Sequence, residues 1–209
     1  MVPQSQAQVQ QLFRSGIDAI ASVTDQFTDD DWARPACGSW TARQTATHVL
    51  GVVDWYHEWL DRAIAGDPTR PFPEAEVDEH ADDDVQRLAD VSGPDAIARF
   101  QARAYDYLQR TTAHWDITYA YPFGVVTTGL HCGVAATEWH LHAWDLAKAR
   151  SHDYAPADPA SLLIAAGSCV ATARGGIRGT VIKRLLPFAA KRTPWKTLLE
   201  QSGRPERDT

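Results

Sequence analysis

The chain has 209 residues, 44% of them hydrophobic and 22% charged, with a formal net charge of −7. This composition is typical of a globular protein and excludes wholesale disorder, and the negative charge disfavours a general nucleic-acid binder. No apolar run approaches the roughly 18 residues of a membrane span, and the N-terminus does not resemble a secretory signal. Cys37, Cys132 and Cys169 are too widely spaced for a disulfide framework. We therefore expect a cytoplasmic protein that has neither a nucleic-acid nor a membrane partner.

The first half of the chain predicts two long helices. From Gln6 to Thr24, apolar residues recur at steps of three and four, the period of an amphipathic helix. The three aspartates at positions 29–31 are expected in a turn. A second helix should begin after Ser39 or Thr41, whose hydroxyls can cap it, and run to about Ala65, before Gly66.

The segment from Gly66 to Asp95 contains ten acidic and two basic residues, together with four prolines. A stretch of this composition buries little apolar surface, so most of it is interpreted as a solvated connection. The alternative interpretation is a segment that gates a pocket.

The second half of the chain predicts further helices and a short extended element. With the earlier pair, they indicate an all-α four-helix bundle in which a long crossover connection precedes the third helix. Residues 1–173 would form the bundle, and residues 174–209 a basic extension packed on the same domain. The predicted elements are a third helix over Asp95–Thr112, an extended element over Ile117–Val126, a fourth helix over Thr128–Ala149, a fifth over Pro159–Ala173 and a last helical piece over Thr180–Ala190.

Two residues of the predicted fourth helix have the spacing of a metal-binding pair. Glu138 and His142 are four residues apart and therefore share one helix face. Asp145 is three residues further on and could orient His142. His48, on the second helix, could supply a third ligand, and three protein ligands leave one coordination position open, as in catalytic zinc sites. Spacing alone also permits a hydrogen-bonded core histidine and a surface Glu–His pair.

The surrounding sequence resembles a known family. Trp40-Thr41 followed by His48-Val49-Leu50, and the run from Glu138 to Ala147, resemble the mycothiol-dependent maleylpyruvate isomerase N-terminal family of DinB-like metal-binding bundles. The resemblance extends from about Val9 to Ala173, and the ending from Pro194 to Pro205 is similar to a short subgroup of that family. It implies that His48, Glu138 and His142 bind a divalent metal, with zinc expected.

The resemblance also implies mycothiol, the low-molecular-weight thiol of actinobacteria, as co-substrate. A metal ion deprotonates a coordinating thiol, and the thiolate is the reactive nucleophile. We therefore predict a mycothiol S-transferase that acts on an electrophilic small molecule, a detoxification reaction. The isomerase has an additional C-terminal domain, which a chain of this length is not expected to contain, so maleylpyruvate isomerisation is not expected. Alternatives are a hydrolase that uses metal-bound water and a non-catalytic metal- or ligand-binding module.

Further residues are candidates for a substrate pocket, namely Cys37, Trp55, Trp144 and Arg178. The stretch from Arg174 to Arg207 has nine basic residues and two acidic ones, which indicates a solvated face, recognition of an anion or contact with a membrane surface. If the stretch recognises an anion, Arg178 and Arg184 would contact an acidic electrophile. A monomer or a homodimer is expected. The remaining histidines have no partner at ligand spacing and are assigned no metal role, namely His57, His80, His114, His131 and His152.

Overall fold

The computed structural model describes residues 4–67, 69–173 and 193–204. Helices dominate this part of the chain, with one small two-stranded sheet. The elements in chain order are α1 (Gln6–Thr24), α2 (Asp29–Trp32), α3 (Ala42–Ile64), a 3-10 turn (Glu74–Glu76), α4 (Val77–Arg87), α5 (Gly93–Ala113), β1 (Thr118–Tyr121), β2 (Gly124–Thr127), α6 (Thr128–Ala149), α7 (Pro159–Ala173) and α8 (Pro194–Gln201).

Four helices form the bundle. α1 packs most extensively on α6, and α3 on α5, while contacts of α1 with α5 and of α3 with α6 complete a four-membered ring. α7 covers a further side of α6, so α6 is buried along nearly its whole length. The prediction of an all-α, DinB-like bundle is confirmed.

The starts of these helices follow from hydroxyl residues that precede them. Ser5, Thr41 and Thr127 each accept a hydrogen bond from a backbone N–H in the first turn of α1, α3 and α6. Such caps satisfy N–H groups that have no partner within the helix. Thr41 is therefore the capping residue of the second predicted helix, and this cap sets the position of His48 two turns later.

The prediction of a turn at residues 29–31 is wrong, because these residues form the short helix α2. The Thr28 side chain accepts from the Asp31 backbone N–H, and the Asp31 carboxylate accepts in return from Thr28 N at 2.9 Å. This reciprocal capping box stabilises the helical turn, and the three aspartates lie in its first turn, where negative charge is favourable.

The acidic segment is more structured than its composition predicts. It contains α4, which packs on α3 and buries Ala81 and Val85. Val77, Ala81 and Val85 are four residues apart, so they form one apolar stripe, whereas the acidic residues lie mainly on the other faces. Residues 77–87 therefore form a helix that composition did not predict, although six of its eleven residues are exposed.

The extended element before α6 is a β-hairpin. β1 and β2 pair antiparallel from Thr118 opposite Thr127 to Tyr121 opposite Gly124. Pro122 and Phe123 form its tip, and the Phe123 side chain is exposed. The hairpin packs on α3 and α6 and so brings its tip towards the space between these helices.

The predicted helical piece over residues 180–190 lies outside the described residues, as do Arg178 and Arg184. Within the described ranges, no helix is both long and apolar enough to cross a membrane.

Candidate metal centre

A cavity of about 110 Å³ opens between α3, α6 and the tip of the hairpin. His48, Glu138 and His142 all line it, so the fold brings the three predicted ligands to one space. Four further residues from α3 and four from the hairpin tip and α4 make its walls mainly apolar and aromatic. The lining residues are His48, Val52, Trp55, Tyr56, Trp59, Val77, Tyr121, Pro122, Phe123, His131, Val134, Glu138 and His142.

His142 is held by a carboxylate behind it. Its Nδ1 lies 3.0 Å from Oδ2 of Asp145, which is 2% exposed. Burial alone would raise the pKa of Asp145, but hydrogen bonds from His142 and Arg204 outweigh this effect and lower it to about 2. The ionised carboxylate can only accept, so Nδ1 carries the hydrogen. When the ring is unprotonated, as metal ligation requires, its free lone pair is on Nε2.

His48 has an unsatisfied ring nitrogen. Its Nδ1 is buried and has no hydrogen-bond partner among the described residues. Burial lowers its pKa well below the usual value, and the nearby Arg204 guanidinium adds to this effect. Its ring centroid lies 5.1 Å from that of His142. A neutral imidazole in this position fits a metal ligand, because ligation requires the unprotonated ring.

Glu138 places a carboxyl group beside the two imidazoles. Burial raises its pKa, although a hydrogen bond donated by the Tyr56 hydroxyl to Oε2 partly opposes this effect. A buried carboxylate without a cation nearby is costly. A divalent metal would offset this cost, so two imidazoles and one carboxyl group fit such an ion.

A different trio of ligand atoms already lies within 4.8 Å of one another, from Cys37, His142 and Asp145. We do not interpret it as a metal site. Burial raises the pKa of the Cys37 thiol to about 12, and Arg204 Nη2 donates to its sulfur at 3.6 Å, so a guanidinium already contacts this atom. The Asp145 carboxylate accepts from Arg204 at 2.8 and 2.7 Å, and this guanidinium would repel a cation. These three residues and Arg204 form a hydrogen-bonded network on the side of His142 away from the cavity.

The turn that carries Cys37 depends on a glycine. Gly38 adopts φ +57°, a left-handed conformation that residues with a Cβ rarely adopt. Trp40 N then donates to Cys37 O at 2.8 Å. The turn brings the Trp40 ring within 4.6 Å of the His48 ring and sets Cys37 beside Arg204.

The other predicted pocket residues lie in different places. Trp55 lines the cavity, and Cys37 lies behind His142. Trp144 is not among the lining residues, since its ring lies under the Lys148 ammonium group at 5.2 Å. Trp144 is only two residues beyond His142, and this spacing turns it towards a different helix face. Arg178 lies outside the described residues.

His140 points away from the cavity, as its spacing predicts. The Ser15 hydroxyl donates to Leu12 O at 2.8 Å, so His140 Nε2–H donates to Ser15 Oγ at 3.1 Å. The Tyr154 hydroxyl then donates to Nδ1. Burial lowers the pKa of His140 to about 4. Both ring nitrogens are therefore used in a structural network.

Three residues at the site escaped the sequence reasoning. His131 lines the cavity, and a signal for it was present, since it lies seven residues before Glu138 on the same helix face. Burial lowers its pKa to about 3. Tyr56 and Arg204 contact Glu138 and Asp145 across 82 and 59 residues of sequence. Helical spacing carries no signal for such contacts.

The helical bundle, with His48, Glu138 and His142 on one cavity, is consistent with the class of DinB-like bundles. Within that class, the model of the mycothiol maleylpyruvate isomerase N-terminal domain matches residues 13–147, and the chain belongs to this family. Membership implies a mycothiol-related, metal-binding domain. No curated protein and no solved structure matches the chain.

Proposed function

We propose that this protein is a metal-dependent transferase that conjugates mycothiol to an electrophilic small molecule. His48, Glu138 and His142 would hold the metal, with zinc expected. The observation that carries the proposal is the convergence of these three side chains on one cavity, with His142 oriented by Asp145. When bound, the metal lowers the pKa of a coordinating thiol and so supplies the thiolate.

The protein's own residues would prepare both reactants. Val52, Trp55 and Val134 give the cavity an apolar wall, which excludes water from a thiolate and packs against the apolar part of an electrophile. In the reaction, the sulfur forms a bond to the electrophilic carbon. The bond from that carbon to its leaving group breaks, the leaving group takes the electron pair, and the thiol proton passes to solvent.

The size of the cavity limits which part of each reactant enters. Its volume of about 110 Å³ is well below the roughly 300–1,000 Å³ of pockets that enclose a whole drug-sized ligand. Only the cysteinyl thiol of mycothiol and the reacting group of the electrophile would fit inside. Neither Lys nor Arg from the described ranges lines the cavity, which suits an uncharged reacting group.

The test is conjugation of a panel of electrophiles, such as alkyl halides and a chlorodinitroarene, with mycothiol or glutathione. We expect a thioether, detected by mass spectrometry, with mycothiol and zinc. Treatment with a chelator should abolish it, and added zinc should restore it. Turnover without any thiol would contradict the proposal and favour a hydrolase. Equal conjugation in the metal-free protein would contradict the metal assignment.

Tyr56→Phe should weaken metal binding by about 10–100-fold, the usual cost of losing a partner that orients a metal ligand. The variant removes only the hydroxyl that donates to Glu138 Oε2. The measurement is competition for zinc with a chromophoric chelator.

Tyr105→Phe is the matched control, because the Tyr105 hydroxyl also donates to a carboxylate, that of Asp18, but on the protein surface. Its zinc affinity should equal that of the wild type. Equal affinities for both variants and the wild type would show that Tyr56 does not support a Glu138 ligand.

A further inference from the structure

Arg204 reaches from the C-terminal segment to α6. Its Nε donates to Asp145 Oδ1 at 2.8 Å, and its Nη2 donates to Oδ2 at 2.7 Å. This is the bidentate pairing of a guanidinium with a carboxylate, which fixes the orientation of both groups. The Arg204 side chain is 18% exposed and that of Asp145 only 2%, so solvent screens the pair little.

The position of Arg204 is itself well defined. α8 begins at a Thr193 cap and buries Trp195, Leu198 and Leu199 against the rest of the protein. Gly203 then adopts φ +75°, and the Arg204 backbone N–H donates to Leu199 O at 2.7 Å. The chain therefore turns back at the end of α8 and directs the guanidinium towards α6.

The Asp145 carboxylate is held in one orientation once this pair is formed. Its Oδ2 accepts from both Arg204 Nη2 and His142 Nδ1, and its Oδ1 accepts from Arg204 Nε. Without the guanidinium, a buried carboxylate would keep one hydrogen bond from His142 and could rotate. The His142 ring would then lose the constraint that presents Nε2 to the cavity.

We propose that Arg204 is a positioning residue for the metal centre, acting through Asp145 on His142. The inference rests on the proposed function, because it assumes that His142 is a ligand. Arg204 lies beyond residues 13–147, which match the family model, so the family match does not assign it a role. Direct recognition of substrate does not explain its position, because Arg204 does not line the cavity and its remaining Nη1 donates to Ser202 O at 3.2 Å.

The first test measures zinc affinity by chelator competition in the full chain. Arg204→Gln should bind zinc about 10–100-fold more weakly than the wild type. Arg204→Lys should recover part of this loss, because an ammonium keeps the charge but cannot form the two-pronged pair. Unchanged affinity in Arg204→Gln would overturn the proposal.

Two controls separate positioning from general stability. Arg103→Gln removes an exposed ion pair with Asp54 of 2.9 Å and should leave the affinity unchanged. In an Asp145→Asn background, the further effect of Arg204→Gln should shrink, because the two residues act through the same contact. Full additivity of the two substitutions would overturn the proposed relay, provided that melting curves of the metal-free variants show folded protein.

The second test does not require metal. Side-chain ¹⁵N spectra of the metal-free protein report the tautomer of His142, which should be Nδ1–H in the wild type and mixed in Arg204→Gln. An unchanged tautomer would overturn the positioning role. The two proposals can fail separately. If the wild type binds no zinc but the His142 tautomer still changes in Arg204→Gln, the proposed function is contradicted and the positioning of His142 by Arg204 is supported.

Discussion

Substituting His142 with alanine is expected to abolish both stoichiometric zinc and conjugating activity. The change removes one of only three proposed protein ligands, so zinc affinity should fall by more than about 100-fold, beyond the loss caused by removing an orienting partner. Asp145 keeps its ion pair with Arg204 in the variant, so the fold should persist. Metal content of the purified protein and a thermal melt measure the two effects.

The same helix supplies a matched control for this experiment. His140 is two residues away and is also buried, but its ring bonds to Ser15 and Tyr154 on the other side of α6. His140→Gln should therefore retain one equivalent of zinc and nearly full activity, even if its melting temperature falls. A His142→Ala variant that keeps its zinc, or a His140→Gln variant that loses it, would contradict the assignment of His142 as the ligand on α6.

Replacing Gly16 with valine is expected to destabilise the protein by about 3 kcal/mol, at the upper end of the usual cost of overpacking a core. A Cβ at this position would lie 2.7 Å from the Cβ of Trp139 and 3.2 Å from Ala136 O. Trp139 cannot move aside easily, because it is fully buried and its ring packs against Phe13 and Phe100. Gly16 is therefore a point of close approach between α1 and α6.

The destabilisation should appear as a fall in melting temperature of about 6–12 °C for a chain of this size. Ala7→Val, at an exposed position of the same helix, is the control. It changes helix propensity without a clash and should cost less than about 1 kcal/mol. Equal melting temperatures for the two variants would contradict the close packing of α1 on α6 at Gly16.

The helices of the bundle could be predicted because local spacing determines them. The periodic apolar residues of α1 and the Thr41 cap of α3 gave bounds that agree with the structure within a residue or two. The same rule would have found α4, had the spacing of Val77, Ala81 and Val85 been weighed above the acidic composition of the segment. The short helix at Asp29–Trp32 was missed because the capping box between Thr28 and Asp31 was not weighed against the run of aspartates.

Part of the candidate site follows from local helical spacing, and the rest depends on long-range packing. The spacing of Glu138, His142 and Asp145 places them on one face of α6 whatever the rest of the chain does, since 3.6 residues make one helical turn. The sequence alone therefore determined that these three residues share one helix face. It also contained the signal for His131, seven residues earlier.

Only the tertiary structure decided which residues support these groups. Tyr56 meets Glu138, and Arg204 meets Asp145, through contacts that join distant parts of the chain. Such pairs depend on how helices pack and where the chain turns back, which no local period encodes. The sequence by itself thus determined the helices and the face that carries the proposed ligands. The packing of α3, α6 and the C-terminal segment decided the cavity and the network behind it, because burial and long-range pairing arise only once the helices are assembled.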